Sequence, residues 1–181
     1  MSLTAVFDDP CETVELGDRM RSWLEDSKKT VLLGIGNRMR GDDAIGIEIV
    51  KLLKGRVPRK VELLECQTAP EDFIKEISQY NPTHILIIDA AELDVEPGRA
   101  RIIPHDEISG TTTSTHAIPL SILAEILKIN TNAKVKILGV QPGNTGYGEE
   151  LTAELKKASK NIADILARIL SEPSMQPILT R

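Results

Sequence analysis

The amino-acid sequence predicts a doubly wound α/β domain, a three-layer α/β/α sandwich around a mostly parallel, twisted sheet with one antiparallel strand. Three observations carry that expectation. Short apolar runs alternate with amphipathic stretches along most of the chain, the pattern of successive βαβ units. A glycine-rich segment, Gly34-Ile35-Gly36-Asn37-Arg38-Met39-Arg40-Gly41-Asp42-Asp43-Ala44-Ile45-Gly46, follows the first apolar run and precedes a helical pattern. The 181 residues suffice for one sheet covered on both faces.

Residues 1–13 read as irregular. Leu16, Met20, Trp23 and Leu24 then recur at helical spacing, so an amphipathic helix leads into the first strand. Strands are expected over 30–34, 60–65, 84–89, 99–103 and 134–140. Helical periodicity falls at about 44–54, 71–80, 117–129 and 149–170. In the last of these, Leu151, Leu155, Ala158, Ile162, Ile165, Leu166 and Ile169 trace one apolar face. Glu96-Pro97-Gly98 suits a turn, because proline presets one backbone angle and glycine accepts positive φ. The strands on either side of it are expected to pair antiparallel. The organisation is then an N-terminal extension with its helix over 1–29, a single α/β domain over 30–171, and a flexible tail over 172–181 broken by Pro173 and Pro177.

Aromatic residues make up only 3% of the chain, so Leu, Ile and Val must form the core. The formal net charge is −5 and no basic stripe is present, which argues against nucleic acid as a partner. The strongest apolar runs, such as Ile85–Ile88, fall far short of the roughly 20 residues of a membrane span. Asp8, Asp9 and Glu12 stand where a secretory signal needs basic and then apolar residues. A cytoplasmic protein without membrane insertion is expected. Cys11 and Cys66 form no Cys-x-x-Cys pair and read as two thiols in a reducing compartment. Cys66, just after a strand, is a candidate to line the same edge as Asp43.

In sheets of this kind functional groups gather beyond the carboxyl ends of the parallel strands. Asp42 and Asp43 leave the first strand. Asp89 ends the run Ile85–Ile88, where a carboxylate needs a partner or a purpose. His116 lies between Thr111–Thr115 and the helix opening near Pro119. Carboxylates and an imidazole make an open site for a divalent transition metal, with positions left for a substrate group. Plainer uses stand beside that one. Asp42 or Asp43 caps the next helix, Asp89 serves a turn, His116 is structural, and Thr111–Thr115 is a solvated loop or a substrate contact. His84 is expected at the opposite edge in a structural role, and His105 in a loop. A dinucleotide fingerprint fails, since its third glycine would fall at Met39 and carboxylates would face a pyrophosphate. Neither a Gly-x-Ser-x-Gly elbow nor a His-Glu-x-x-His helix is present. A carboxylate pair sharing a proton remains open for Asp43 and Asp89.

Assembled in this order, the chain resembles the maturation endopeptidases of [NiFe] hydrogenases over roughly residues 30 to 170. The resemblance rests on Gly34-Ile35-Gly36-Asn37 with Gly41-Asp42-Asp43, on Ile87-Ile88-Asp89-Ala90, on Thr115-His116 before a helix, and on Gly139-Val140-Gln141-Pro142. Thr68-Ala69-Pro70-Glu71 is most similar to the branch serving membrane-bound, hydrogen-evolving enzymes. The resemblance implies a nickel-binding triad of Asp43, Asp89 and His116; for Asp42, a supporting carboxylate stands beside helix capping, which is the expected job. It implies an endopeptidase, a monomer, that removes the C-terminal extension of a hydrogenase large-subunit precursor after nickel insertion. The precursor would supply the nickel, so the free enzyme need hold none. Which group activates water stays open. Two features depart from the family: Glu65-Cys66-Gln67 stands where many relatives carry Asp-Gly-Gly, and the segment before Thr30 is longer than the minimal pattern. Two other readings remain, a self-sufficient zinc or manganese hydrolase of a small amide and a non-catalytic nickel or precursor chaperone.

Overall fold

The computed structural model describes residues 10–103 and 118–172, with side chains from residue 15 onward. Residues 1–9, the Cys11 side chain, His105, Thr111–Thr115, His116 and the tail from 173 lie outside the described residues. The elements are α1 (Pro10–Leu24), β1 (Thr30–Ile35), a 3-10 turn (Gly41–Ala44), α2 (Ile45–Leu53), β2 (Val61–Gln67), a second 3-10 turn (Pro70–Phe73), α3 (Ile74–Tyr80), β3 (His84–Ala90), β4 (Ala100–Ile103), α4 (Leu120–Thr131), β5 (Lys134–Val140) and α5 (Ala153–Ser171). α1 starts at Pro10, so part of the stretch read as irregular is helical. α5 starts only at Ala153, because Glu149 is drawn into a loop contact: its carbonyl accepts the Gly41 N–H at 3.2 Å.

Among the described residues the sheet has five strands in the order β2-β1-β3-β5-β4. β1 is parallel to both β2 and β3, and β3 is parallel to β5. Of these five, β4 alone runs antiparallel, from Ala100 opposite Val140 to Ile103 opposite Ile137. This corrects the expected pairing across Glu96-Pro97-Gly98. β3 already has neighbours on both sides, β1 and β5, so the turn carries the chain past β5 to the outer edge. The Gly98 N–H donates to the Gln141 carbonyl and the Gln141 N–H to the Arg99 carbonyl, each at 2.8 Å.

Alternation along the strands sorts their side chains onto two faces. Leu32, Leu86, Ile88 and Ala90 join α1, α2 and α5 in one core, where Leu16, Met20 and Leu24 meet Ile162, Leu166 and Ile169. Val31, Leu33, Ile85 and Ile87 join α3 and α4 in the other, against Ile77, Leu120, Leu123 and Leu127. β1 and β3 are buried along their whole length, as central parallel strands must be when helices cover both faces. The result is the expected α/β/α sandwich.

Candidate active site

The connection after β1 runs outward to β2, whereas the chain after β3 runs the opposite way, to β4 and β5. The carboxyl ends of β1 and β3 are therefore a topological switch point, where the outgoing loops diverge and leave a crevice. Gly34 is in register with Ile88, which places Asp89 level with the end of β1. Asp89 is 1% exposed and alternates with Ile85 and Ile87, on the sheet face that α4 covers. His116 precedes the first residue of α4 by four positions.

The glycine segment brings Asp43 back over the end of β1. The Asn37 N–H donates to Asp43 Oδ2 at 3.0 Å, which fixes one carboxylate oxygen against the loop backbone. Gly36 has φ +141°, and a Cβ there would collide with the Asp43 carbonyl oxygen. Only glycine lets the two backbones come this close. α2 leaves the same loop flush against β3, since a Cβ on Gly46 would strike the Ile88 carbonyl oxygen. Asp43 is 3% exposed. Two nearly buried carboxylates thus belong to this edge of the sheet, Asp89 in β3 and Asp43 in the turn folded back over the end of β1. Among the described residues no group of three His, Cys, Asp or Glu side chains forms a metal cluster.

Asp42 does something other than the helix capping expected of it. The 3-10 turn has no side-chain cap. The Asp42 carboxylate, fully buried, accepts the N–H groups of Gly143 at 2.9 Å, Asn144 at 2.8 Å and Thr152 at 2.7 Å, and the Thr152 hydroxyl at 3.1 Å. Thr152 is itself the N-cap of α5, its hydroxyl accepting from the Leu155 N–H at 3.4 Å. A carboxylate at a helix N-terminus is electrostatically favourable, but the helix here is α5, not α2. Backbone bonds complete the joint: Asp42 N–H to the Asn144 carbonyl at 2.9 Å and Gly148 N–H to the Met39 carbonyl at 2.8 Å. Nothing along the sequence signals this staple, because its partners lie over a hundred positions downstream, Gly143 and Asn144 in unpatterned loop and Thr152 within the helical pattern expected from 149.

Gln141, from the segment Gly139-Val140-Gln141-Pro142, closes the other side. Its Oε1 accepts the Leu93 N–H at 2.7 Å and its amide donates to Glu92 at 2.8 Å, tying the end of β5 to the loop after β3. In Glu65-Cys66-Gln67, Glu65 pairs with both Arg38 of the glycine loop and Lys54 after α2. The Lys54 ammonium bonded to it, with Arg38 alongside, holds the Glu65 carboxyl below the usual carboxylate range. Cys66 occupies a bulge, since Gly34 pairs with Glu65 but Ile35 pairs with Gln67. It is 2% exposed, and burial pushes its thiol up to about 12. A thiol so reluctant to ionise is no nucleophile at neutral pH. His84 begins β3 at the amino edge, buried beside Trp23, with Nε2 3.3 Å from Asp26.

A family model of the HycI hydrogenase maturation proteases matches residues 47–169. A provisionally named hydrogenase maturation protease of Methanocaldococcus jannaschii is 38% identical over 157 residues, 82% of this chain and 92% of that protein. The hydrogenase 3 maturation protease of Escherichia coli K12 is 33% identical over 133 residues, 73% of this chain and 85% of that one. The crystal structure of the [NiFe] hydrogenase maturation protease HycI from Thermococcus kodakarensis superposes with a TM-score of 0.79 at 32% identity, covering 85% of this chain and 99% of that one. The likeness runs through sequence and fold over most of both chains, and on it this protein belongs to the HycI family of hydrogenase maturation proteases, which makes it a peptidase of hydrogenase assembly.

Proposed function

We propose that this protein removes the C-terminal extension of a [NiFe] hydrogenase large-subunit precursor after nickel insertion, and that it recognises the nickel the precursor carries. The observation that supports this reading is the pair of nearly buried carboxylates, Asp89 near the end of β3 and Asp43 in the turn over the end of adjacent β1, in a chain of this family. His116, four positions before α4 in sequence, is the third donor on this reading. Two carboxylates and one imidazole are an incomplete set that suits a divalent transition metal without selecting nickel over its competitors. Selection then falls to the substrate: a precursor that presents nickel on its own ligands needs only these three groups to dock it. Docking converts cleavage of one peptide bond into an oriented reaction at a fixed place, which lowers its entropic cost.

The protein's own groups have separate tasks. Asp43 is oriented by the Asn37 N–H. Asp42 holds the surrounding loops in register. Cys66 takes no part, by burial and by its raised pKa. A reducing compartment such as the cytoplasm suits a chain of 181 residues with two cysteines, and a monomer suffices for a site built from one chain.

The test is to incubate the protein with nickel-loaded and nickel-free large-subunit precursors and to measure precursor mass. Shortening of the loaded form alone is expected, abolished by His116→Ala with the fold intact. Equal shortening of both forms would return the site to an ordinary hydrolase. Nickel-dependent binding without shortening would make the protein a chaperone.

A further inference from the structure

Among the described residues the large apolar side chains left in water are Met39, Val95, Ile122, Ile129 and Tyr147. Exposed apolar residues scattered singly mean little. Met39 and Tyr147 are different, because the fold brings their two segments together at the candidate active site. Met39 belongs to the loop that presents Asp43, and Tyr147 to the loop that Asp42 staples to it. The Gly148 N–H, one residue from Tyr147, donates to the Met39 carbonyl at 2.8 Å.

Both segments are held rather than loose. The Met39 N–H donates to Asn37 Oδ1 and the Gly146 N–H to Asn144 Oδ1, each at 2.9 Å. Arg40 Nε reaches the Thr145 carbonyl at 3.3 Å. Beneath them the Asp42 carboxylate gathers three backbone amides and a hydroxyl. So much hydrogen bonding spent to fix two loops leaves their apolar tips outside, with Met39 53% and Tyr147 75% exposed. Methionine adapts its shape to an apolar partner, and tyrosine offers a broad apolar body with a polar tip, which makes both suited to interfaces.

We propose that Met39 and Tyr147 form a two-point apolar grip for the polypeptide of the hydrogenase precursor, taking apolar side chains of the segment that runs to the scissile bond. This rests on the proteolytic reading above. The occupant follows from continuity: a protein segment delivered to Asp43 comes close to Met39, four residues before it, and to the loop bonded to Met39 and Asp42. The grip acts on binding of the precursor and leaves the reacting groups untouched. Preorganisation by Asp42 spares the complex the entropy of ordering those loops.

The experiment uses the full chain and the nickel-loaded large-subunit precursor of the same organism, with Kd read by anisotropy of labelled precursor and KM and kcat by mass. Met39→Ser and Tyr147→Ser are each expected to raise Kd and KM about ten-fold, the loss of one buried apolar contact, with kcat within about two-fold. Melting temperature stays unchanged, because neither side chain is in the core. Met39→Leu and Tyr147→Phe restore binding. Ile129→Ser, equally apolar and 80% exposed near the far end of α4, changes neither constant. Unchanged Kd and KM in both serine variants, or a loss confined to kcat, overturns the grip. Wild-type protein that binds the precursor without shortening it overturns the proteolytic reading, while the Kd comparison still judges the grip. Wild-type protein that binds no precursor overturns both.

Discussion

The carboxylate of Asp42 accepts both the backbone N–H and the hydroxyl of Thr152, at 2.7 and 3.1 Å, across 110 positions of chain. That bond, with those from Gly143 and Asn144, makes one buried side chain the joint between the loop after β1, the loop after β5 and the start of α5.

Asp42→Ala should therefore be costly well beyond the volume it removes. Three backbone amides lose a charged acceptor, and a hydrogen bond to a charged group contributes about 1.5–3 kcal/mol. A loss of about 3 kcal/mol or more in urea unfolding is expected. Asp42→Asn keeps one acceptor oxygen and should lose roughly half as much. A cost below about 1 kcal/mol for the alanine variant would show that the loops are held by other means.

Gln67 carries a different signature. Its φ is +50°, the left-handed region that costs a side-chain-bearing residue about 1–2 kcal/mol. Gln67→Gly relieves that strain and gives back about 0.5–1 kcal/mol through the looser unfolded chain. A net gain of about 0.5–1 kcal/mol is expected by denaturant unfolding. Gln67→Val should move stability the other way, since a β-branched residue tolerates positive φ least. A destabilised glycine variant would contradict the strain.

The third prediction concerns pH. Burial holds the His84 imidazole below its ordinary value of 6.5, with Lys134 adding repulsion and Asp26 opposing both. The unfolded chain takes up this proton first, so the contribution is complete above about pH 6.5 and is lost as pH falls through the folded pKa. Stability should decline by up to about 1.4 kcal/mol per pH unit in that window. Trp23, the single tryptophan, reports the event directly, because its ring centroid lies 5.0 Å from that of His84. Unfolding followed by Trp23 emission between pH 7.5 and 5 should show the decline in wild-type protein and a flat response in His84→Gln. A flat wild-type profile would place the His84 proton elsewhere.

Much of the architecture was legible along the chain. The runs Val31–Leu33 and Ile85–Ile88 announce buried strands, and the face Leu155, Ala158, Ile162, Leu166, Ile169 announces α5, because burial against a sheet imposes local periodicity. Asp43 and Asp89 were readable as carboxylates leaving strands for the same reason. What local pattern leaves open is which elements are neighbours. Glu96-Pro97-Gly98 has the chemistry of a hairpin turn, yet β5 lies between the strands it joins, since the second edge of β3 is taken by a strand that arrives later in sequence. Asp42 has the chemistry of a cap for the helix beside it. Its hydrogen bonds go instead to Gly143, Asn144 and Thr152, and a bond between residues this distant has no periodicity to betray it. The sequence by itself determined the elements, the three-layer class and the donor types available for chemistry. Tertiary structure alone decided the strand order that sets the end of β1 beside the end of β3 and the joint that holds the loops. Both depend on long-range pairing, whose free energy is realised only when the whole chain has folded.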